Sequence, residues 1–81
     1  MGKCIIKNNI RRFRFENNEM TQQELADLVG VTRQAIISVE KGAYYPSLEL
    51  AFRISRAFNV GVEEVFSFED APHNINKGGK G

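Results

Sequence analysis

Thr21-Gln22-Gln23-Glu24-Leu25-Ala26-Asp27-Leu28-Val29-Gly30-Val31-Thr32-Arg33-Gln34-Ala35-Ile36-Ile37-Ser38-Val39-Glu40 is the stretch that decides the fold. Thr21 is suited to N-cap a helix, and Glu24 three residues later completes a capping box. Met20 and Leu25 occupy the flanking positions of a hydrophobic staple. Leu25, Leu28 and Val29 follow i, i+3, i+4 spacing and predict one apolar stripe. Gly30 supplies the left-handed conformation that ends a helix at little cost. Thr32 caps a second helix two residues on, with Val31 and Ile36 as a second staple pair.

Two short amphipathic helices turning at one glycine predict a helix-turn-helix unit, whose second helix offers its outer face to a DNA major groove. On a wheel of ~100° per residue, Ile36, Val39 and Glu40 share one side of that helix. Arg33, Gln34, Ile37 and Ser38 share the other. Ala26 is small enough to let the two helices approach. Arg33 matches the O6/N7 edge of guanine and Gln34 the N6/N7 edge of adenine, each pairing worth ~1–3 kcal/mol of discrimination. Ser38, one turn on, reaches a base edge or a phosphate. Ile37 touches a thymine methyl or covers the stem of Arg33. Gln22 and Thr32 lie at helix N-termini, where free N–H groups and the helix dipole attract phosphate, so Thr32 can cap and contact DNA at once.

Outward from this unit, Cys4-Ile5-Ile6 is mildly β-prone and reads as an extended arm or as the first turn of helix 1. Asn8 or Asn9 caps a helix to about Asn17, with Ile10, Phe13 and Arg14 facing inward. Pro46 ends the loop after Lys41-Gly42, and Ser47 caps a fourth helix to about Asn59. Its predicted core stripe is Leu48, Ala51, Ile54, Ser55 and Phe58. Gly61 opens a short fifth helix, Val62 to Phe66. The expectation is therefore an all-α, five-helix domain over residues 1–68. Residues 69–81 form a polar, Gly-rich tail expected to be disordered, in which Lys77 and Lys80 either brush a phosphate or do nothing.

With 81 residues, 42% apolar and 26% charged, the chain has the composition of one small globular domain. No apolar run approaches the ~20 residues of a membrane span, and no signal-peptide pattern opens the chain. The single cysteine, Cys4, excludes an internal disulfide framework and fits a reducing cytoplasm. A net charge of +1 is weak for a nucleic-acid binder, but its distribution is uneven. Lys3, Lys7, Arg11, Arg12 and Arg14 make the start purely basic; Glu63, Glu64, Glu69 and Asp70 make the end acidic. Either one end faces phosphates while the other faces away, or both are solvated helix faces.

Catalysis has little support. His73 is the only histidine, so no histidine triad or metal cluster can be assembled. Adjacent Glu63 and Glu64 diverge by ~100° on a helix. We expect no enzyme activity, no cofactor, no metal and no small-molecule ligand.

The span Ile10 to Phe66 resembles the phage-repressor-type (Xre) helix-turn-helix family. The match rests on Met-Thr-Gln-Gln-Glu-Leu-Ala (20–26), Val-Gly-Val-Thr-Arg-Gln-Ala-Ile (29–36), Val-Glu-Lys-Gly (39–42) and Pro-Ser-Leu-Glu-Leu (46–50). The resemblance implies a prokaryotic or phage DNA-binding protein working as a homodimer on a palindromic operator, most simply as a repressor. It implies that Gln22 contacts a phosphate and braces the start of the recognition helix. It places Arg33, Gln34 and Ser38 at base-reading positions, and backbone around Lys41 to Tyr44 against phosphates. It also implies a buried ion pair between Arg14 and Glu40, the alternative being an Arg14 free for phosphate. Gly61 departs from the usual Ser or Thr cap, and the loop Glu16 to Met20 is one residue longer than the common pattern.

One domain carries one recognition helix, so two half-sites ~34 Å apart require a two-fold partner. Leu50, Phe52, Phe66 and Phe68 fall outside the predicted core stripes and are the candidates for that interface, unless they tuck onto the monomer core. The competing function is a protein-interaction module, such as an antitoxin or a subunit of a larger regulator.

Overall fold

The computed structural model describes residues 4–70. In chain order they form β1 (Cys4–Asn8), α1 (Ile10–Glu16), α2 (Gln22–Val29), α3 (Arg33–Glu40), α4 (Leu48–Ala57), α5 (Val62–Val65) and β2 (Phe66–Asp70). Among the described residues there are five helices, with the helix-turn-helix at α2 and α3. The all-α expectation is corrected by a two-stranded antiparallel sheet of β1 and β2, with Ile6 opposite Phe68 and Asn8 opposite Phe66. β2 pairs with β1 through Asp70. Residues 71–81, with His73, Lys77 and Lys80, lie outside the described residues, as does Lys3.

Local chemistry places each helix end. Thr21 Oγ1 accepts from the Glu24 N–H at 3.0 Å while the Glu24 carboxylate accepts from the Thr21 N–H at 2.8 Å. This reciprocal box satisfies two donors that a helix start would leave orphaned. At the other end of α2, Gly30 adopts φ +80°, and the N–H groups of Gly30 and Val31 both donate to Ala26 O. The side chain of Arg53 on α4 donates to Val29 O at 3.1 Å, covering another carbonyl of the same terminus. Thr32 and Ser47 cap α3 and α4 by accepting from the N–H groups of Ala35 and Leu50. Gly61 has no side chain to cap α5, and the Glu64 carboxylate accepts its N–H at 3.3 Å.

The core joins Ile10 and Phe13 of α1, Leu25, Ala26 and Val29 of α2, Ile36 and Val39 of α3, Leu50 and Ile54 of α4, Phe58 and Val65. Phe13 and Phe58 stack with ring centroids 5.5 Å apart. Ala26 is wholly buried between its neighbours, so α2 and α3 meet closely. Met20, Val31 and Phe66 close the edges of this core.

Three leucines depart from their predicted places. Leu28 is 64% exposed and Leu48 is 72% exposed, whereas Leu50 is buried at 8%. Ser47 is the N-cap, so Leu48 is the first helical residue, and its Cβ leans back toward the helix start and away from the bundle. The buried stripe is Leu50, Ala51, Ile54 and Ser55, and the Ser55 hydroxyl donates to Ala51 O at 2.9 Å. Leu50 therefore belongs to the core and is unavailable to a partner chain.

β1 and β2 bring part of the basic stretch beside part of the acidic one. Lys7 Nζ sits 3.4 Å from Glu69 Oε1 across the sheet. At β1 and β2 the basic start and the acidic end therefore share a surface, so the expected separation of the two does not hold there.

Candidate nucleic-acid interface

The outer face of α3 begins with Arg33 and Gln34, both exposed, followed by half-buried Ile37 and Ser38. Among the described residues Arg33 enters no ion pair. The first N–H groups of a helix have no intrahelical acceptor, so these two long donors stand at the electropositive end of α3. Thr32 spends a hydroxyl lone pair on the Ala35 N–H at 3.1 Å and remains exposed.

Beside this end lies an open cleft of about 690 Å³ lined by Arg11 and Arg14 of α1, Gln22 and Gln23 of α2, and Arg33 and Glu40 of α3. Among the described residues that line it, Glu40 is the sole carboxylate and is paired with Arg14, leaving Arg11 and Arg33 to set the charge. The cleft is thus suited to an anion. Arg11 also lies over the Phe15 ring, 5.8 Å from its centroid, which stiffens the approach from α1. Gln23 was not singled out by sequence reasoning, and Arg11 only as part of a basic run. Arg11, Arg14 and Phe15 share i, i+3, i+4 spacing on α1, a pattern that marks one face but does not say which helix it meets.

Arg14 and Glu40 are almost covered, with 14% and 11% of their side chains exposed. Arg14 Nε donates to Glu40 Oε2 at 2.6 Å, Nη2 to Oε1 at 3.2 Å and Nη1 to the Met20 carbonyl at 2.8 Å. All three nitrogens are occupied inside the protein, so Arg14 is not free for phosphate. Gln22, half-buried, donates from Nε2 to Glu40 Oε1 at 3.3 Å. This bond falls on the last residue of α3.

After Glu40 the chain turns in a Schellman motif. Gly42 takes φ +77°, its N–H donates to Val39 O, and the Ala43 N–H donates to Ser38 O. Lys41 and Tyr44 are exposed on the loop that follows. Tyr45, their neighbour, accepts the Ile6 N–H on its hydroxyl at 3.4 Å and so ties this loop to β1. Of the remaining interface candidates, Phe52 is 51% and Phe68 64% exposed, while Phe66 packs against the core.

Among the described residues, no three His, Cys, Asp or Glu side chains gather to hold a metal ion. Within the same residues, no helix is long and apolar enough to cross a membrane.

Residues 10–65 match the family model described as Helix-turn-helix. The chain is 48% identical over 65 residues to an HTH-type transcriptional regulator of Methanocaldococcus jannaschii, covering 80% of this chain and 97% of that relative. It is 42% identical over 65 residues to the HTH-type transcriptional regulator YgzD of Bacillus subtilis, with the same coverage. A match of 39% over 51 residues reaches the HTH-type transcriptional activator BcrR of Enterococcus faecalis, covering 63% of this chain and 25% of that relative. The chain belongs to the Xre-type helix-turn-helix family.

Proposed function

We propose that this chain is a sequence-specific double-stranded DNA-binding transcriptional regulator, acting as a homodimeric repressor on a palindromic operator. The observation that carries the reading is the exposed Arg33–Gln34 pair at the start of α3, set beside an arginine-lined cleft. In this reading α3 lies in the major groove, where Arg33 and Gln34 read bases, Ser38 and Ile37 extend the contact by one turn, and Gln22 and Thr32 fix the register on phosphates. Lys41 and Tyr44 meet the backbone from the following loop. Phe52 and Phe68 supply the apolar surface for a second copy, with Phe66 at its margin. The names of the relatives support transcriptional regulation.

Selection from a random duplex pool at near-physiological salt, followed by the salt dependence of binding, tests the proposal. An enriched palindrome bound with a salt slope of several phosphates is the expected result. No enrichment and salt-insensitive binding would sink it. The exposed Phe52 and Phe68 favour a second reading, in which this surface grips a different protein. A chain that is monomeric alone and forms a stoichiometric complex with another protein would favour that reading.

A further inference from the structure

Asn8 makes three hydrogen bonds to two helices. Its Oδ1 accepts the Ile10 N–H at 3.2 Å, at the start of α1. Its Nδ2 donates to Val39 O at 3.0 Å and to Glu40 O at 3.4 Å, at the end of α3. The residue itself belongs to β1, opposite Phe66 of β2. Its neighbour Asn9 donates its N–H to Val65 O at 2.8 Å and its side-chain amide to Glu64 O at 3.2 Å, fastening the same corner to α5.

The bond to the first residue of α1 needs only the side-chain oxygen of Asn8. The amide goes elsewhere, to Val39 O, which the Gly42 N–H also reaches, and to Glu40 O at the end of α3. The last turn of α3 is thereby held from two directions. The Glu40 side chain is gripped by Arg14 and Gln22, and its backbone is gripped by Asn8. A rigid helix fixed at its end has its tilt fixed along its length, and the side chains at issue lie on that helix.

We propose that Asn8 is a positioning residue for DNA reading: it locks the end of α3 to the terminal sheet, so the pose of Arg33, Gln34 and Ser38 follows the sheet. The inference rests on the proposed DNA-binding function. It also makes the pairing of β1 with β2 a determinant of operator recognition, although neither strand carries a base-reading residue.

Asn8→Asp separates the two jobs of the side chain. Aspartate keeps the acceptor for the Ile10 N–H at the first residue of α1. It has no donor for Val39 O and Glu40 O, and it sets a negative charge against the negative end of α3. Asn8→Ser keeps an acceptor without the charge, and its hydroxyl ends one bond short of the amide nitrogen.

Two measurements on the full chain test the proposal. Amide hydrogen exchange without DNA should show Lys41, Gly42 and Ala43 exchanging ~10-fold faster in Asn8→Asp, the loss of about one net hydrogen bond, while the amides of α1 and α2 hold. Asn8→Ser should show the same pattern, weaker. The second measurement compares the duplex enriched by the wild-type chain with a scrambled duplex of equal length. Asn8→Asp should lose ~10-fold in affinity for the enriched duplex and far less for the scrambled one, with the salt slope unchanged. Equal losses on both duplexes, no loss on either, or faster exchange spread evenly over all helices would overturn the proposal. A wild-type chain that enriches no duplex overturns the DNA reading and this role with it, while the exchange pattern still decides whether Asn8 holds α3.

Discussion

Arg14 and Glu40 join the first and third helices through paired charge-assisted bonds, Nε to Oε2 at 2.6 Å and Nη2 to Oε1 at 3.2 Å, in a site open to little water. Such a pair is weak evidence of net stability, because desolvation of two ions offsets much of their attraction. Removing one partner is a different matter. The other charge is then left covered and uncompensated, at a cost of ~3–5 kcal/mol for a fully buried pair. Arg14→Met and Glu40→Leu should each lower the urea-unfolding free energy by about 3 kcal/mol, the low end of that range, because both side chains keep some exposure. The double variant should lose much less than the sum of the two. Additive losses would show that the pair does not act as a unit.

Gln22 and Gln34 should separate register from reading. Gln34→Ala should relax preference at one base position by ~1–3 kcal/mol, visible as a flattened column in the sequences selected from a duplex pool. Gln22→Ala should weaken all duplexes by a similar factor and leave the selected sequence unchanged. A part of that loss should come from the freed Glu40 carboxylate, which Gln22 now contacts. A Gln22→Ala chain that selects a different sequence would assign Gln22 to base reading.

Gly30 sits at φ +80°, where any other L-residue is strained, and a Cβ there would lie 3.4 Å from Arg53 Nη1. Gly30→Ala should cost ~1–2 kcal/mol from the backbone alone. A shift of Arg53 should add to this by weakening its bond to Val29 O. Thermal or urea unfolding checks the value, and an unchanged midpoint would contradict the left-handed turn.

Leu48 and Leu50 test the corrected stripe of α4. Leu50→Ala should cost ~2–5 kcal/mol as a core truncation. Leu48→Ala, at a site 72% exposed, should fall within about 0.5 kcal/mol. The reverse order in unfolding experiments would restore the stripe read from periodicity.

That stripe shows where sequence reasoning reaches its limit. Capping chemistry is local, so Thr21 with Glu24, Thr32, Ser47 and Gly30 are all legible and all found in place. Which apolar residues are covered depends on what packs against a helix, and periodicity alone does not supply the neighbour. α2 meets α3 and α4 along Leu25, Ala26 and Val29, which leaves Leu28 outside although it lies next to them on the wheel. The sheet was harder still, since Ile6 and Phe68 lie far apart in sequence and no local pattern pairs them. A trace was present: Phe66, Ser67, Phe68 and Glu69 alternate apolar and polar with the period of a strand. In the candidate site, the outer face of α3 was legible from the wheel. The engagement of Gln22 with Glu40 was not, because it depends on the crossing of three helices.

Phe52 and Phe68 bear on the dimer. Both are more than half exposed, and neither is needed to fill the core. An aromatic side chain left in water is a cost that a two-fold contact would recover, and operator binding through two half-sites gives the contact a purpose. Phe52→Glu and Phe68→Glu should therefore leave the unfolding midpoint of the dilute chain nearly unchanged while shifting sedimentation from dimer to monomer. Affinity for a palindromic duplex should fall steeply, because each half-site is then bound alone. Affinity for an isolated half-site should change little, which separates lost dimerisation from damage to α3. A chain that remains dimeric in both variants would move the interface elsewhere. Leu50 would not be the replacement, since its side chain is already committed to the core.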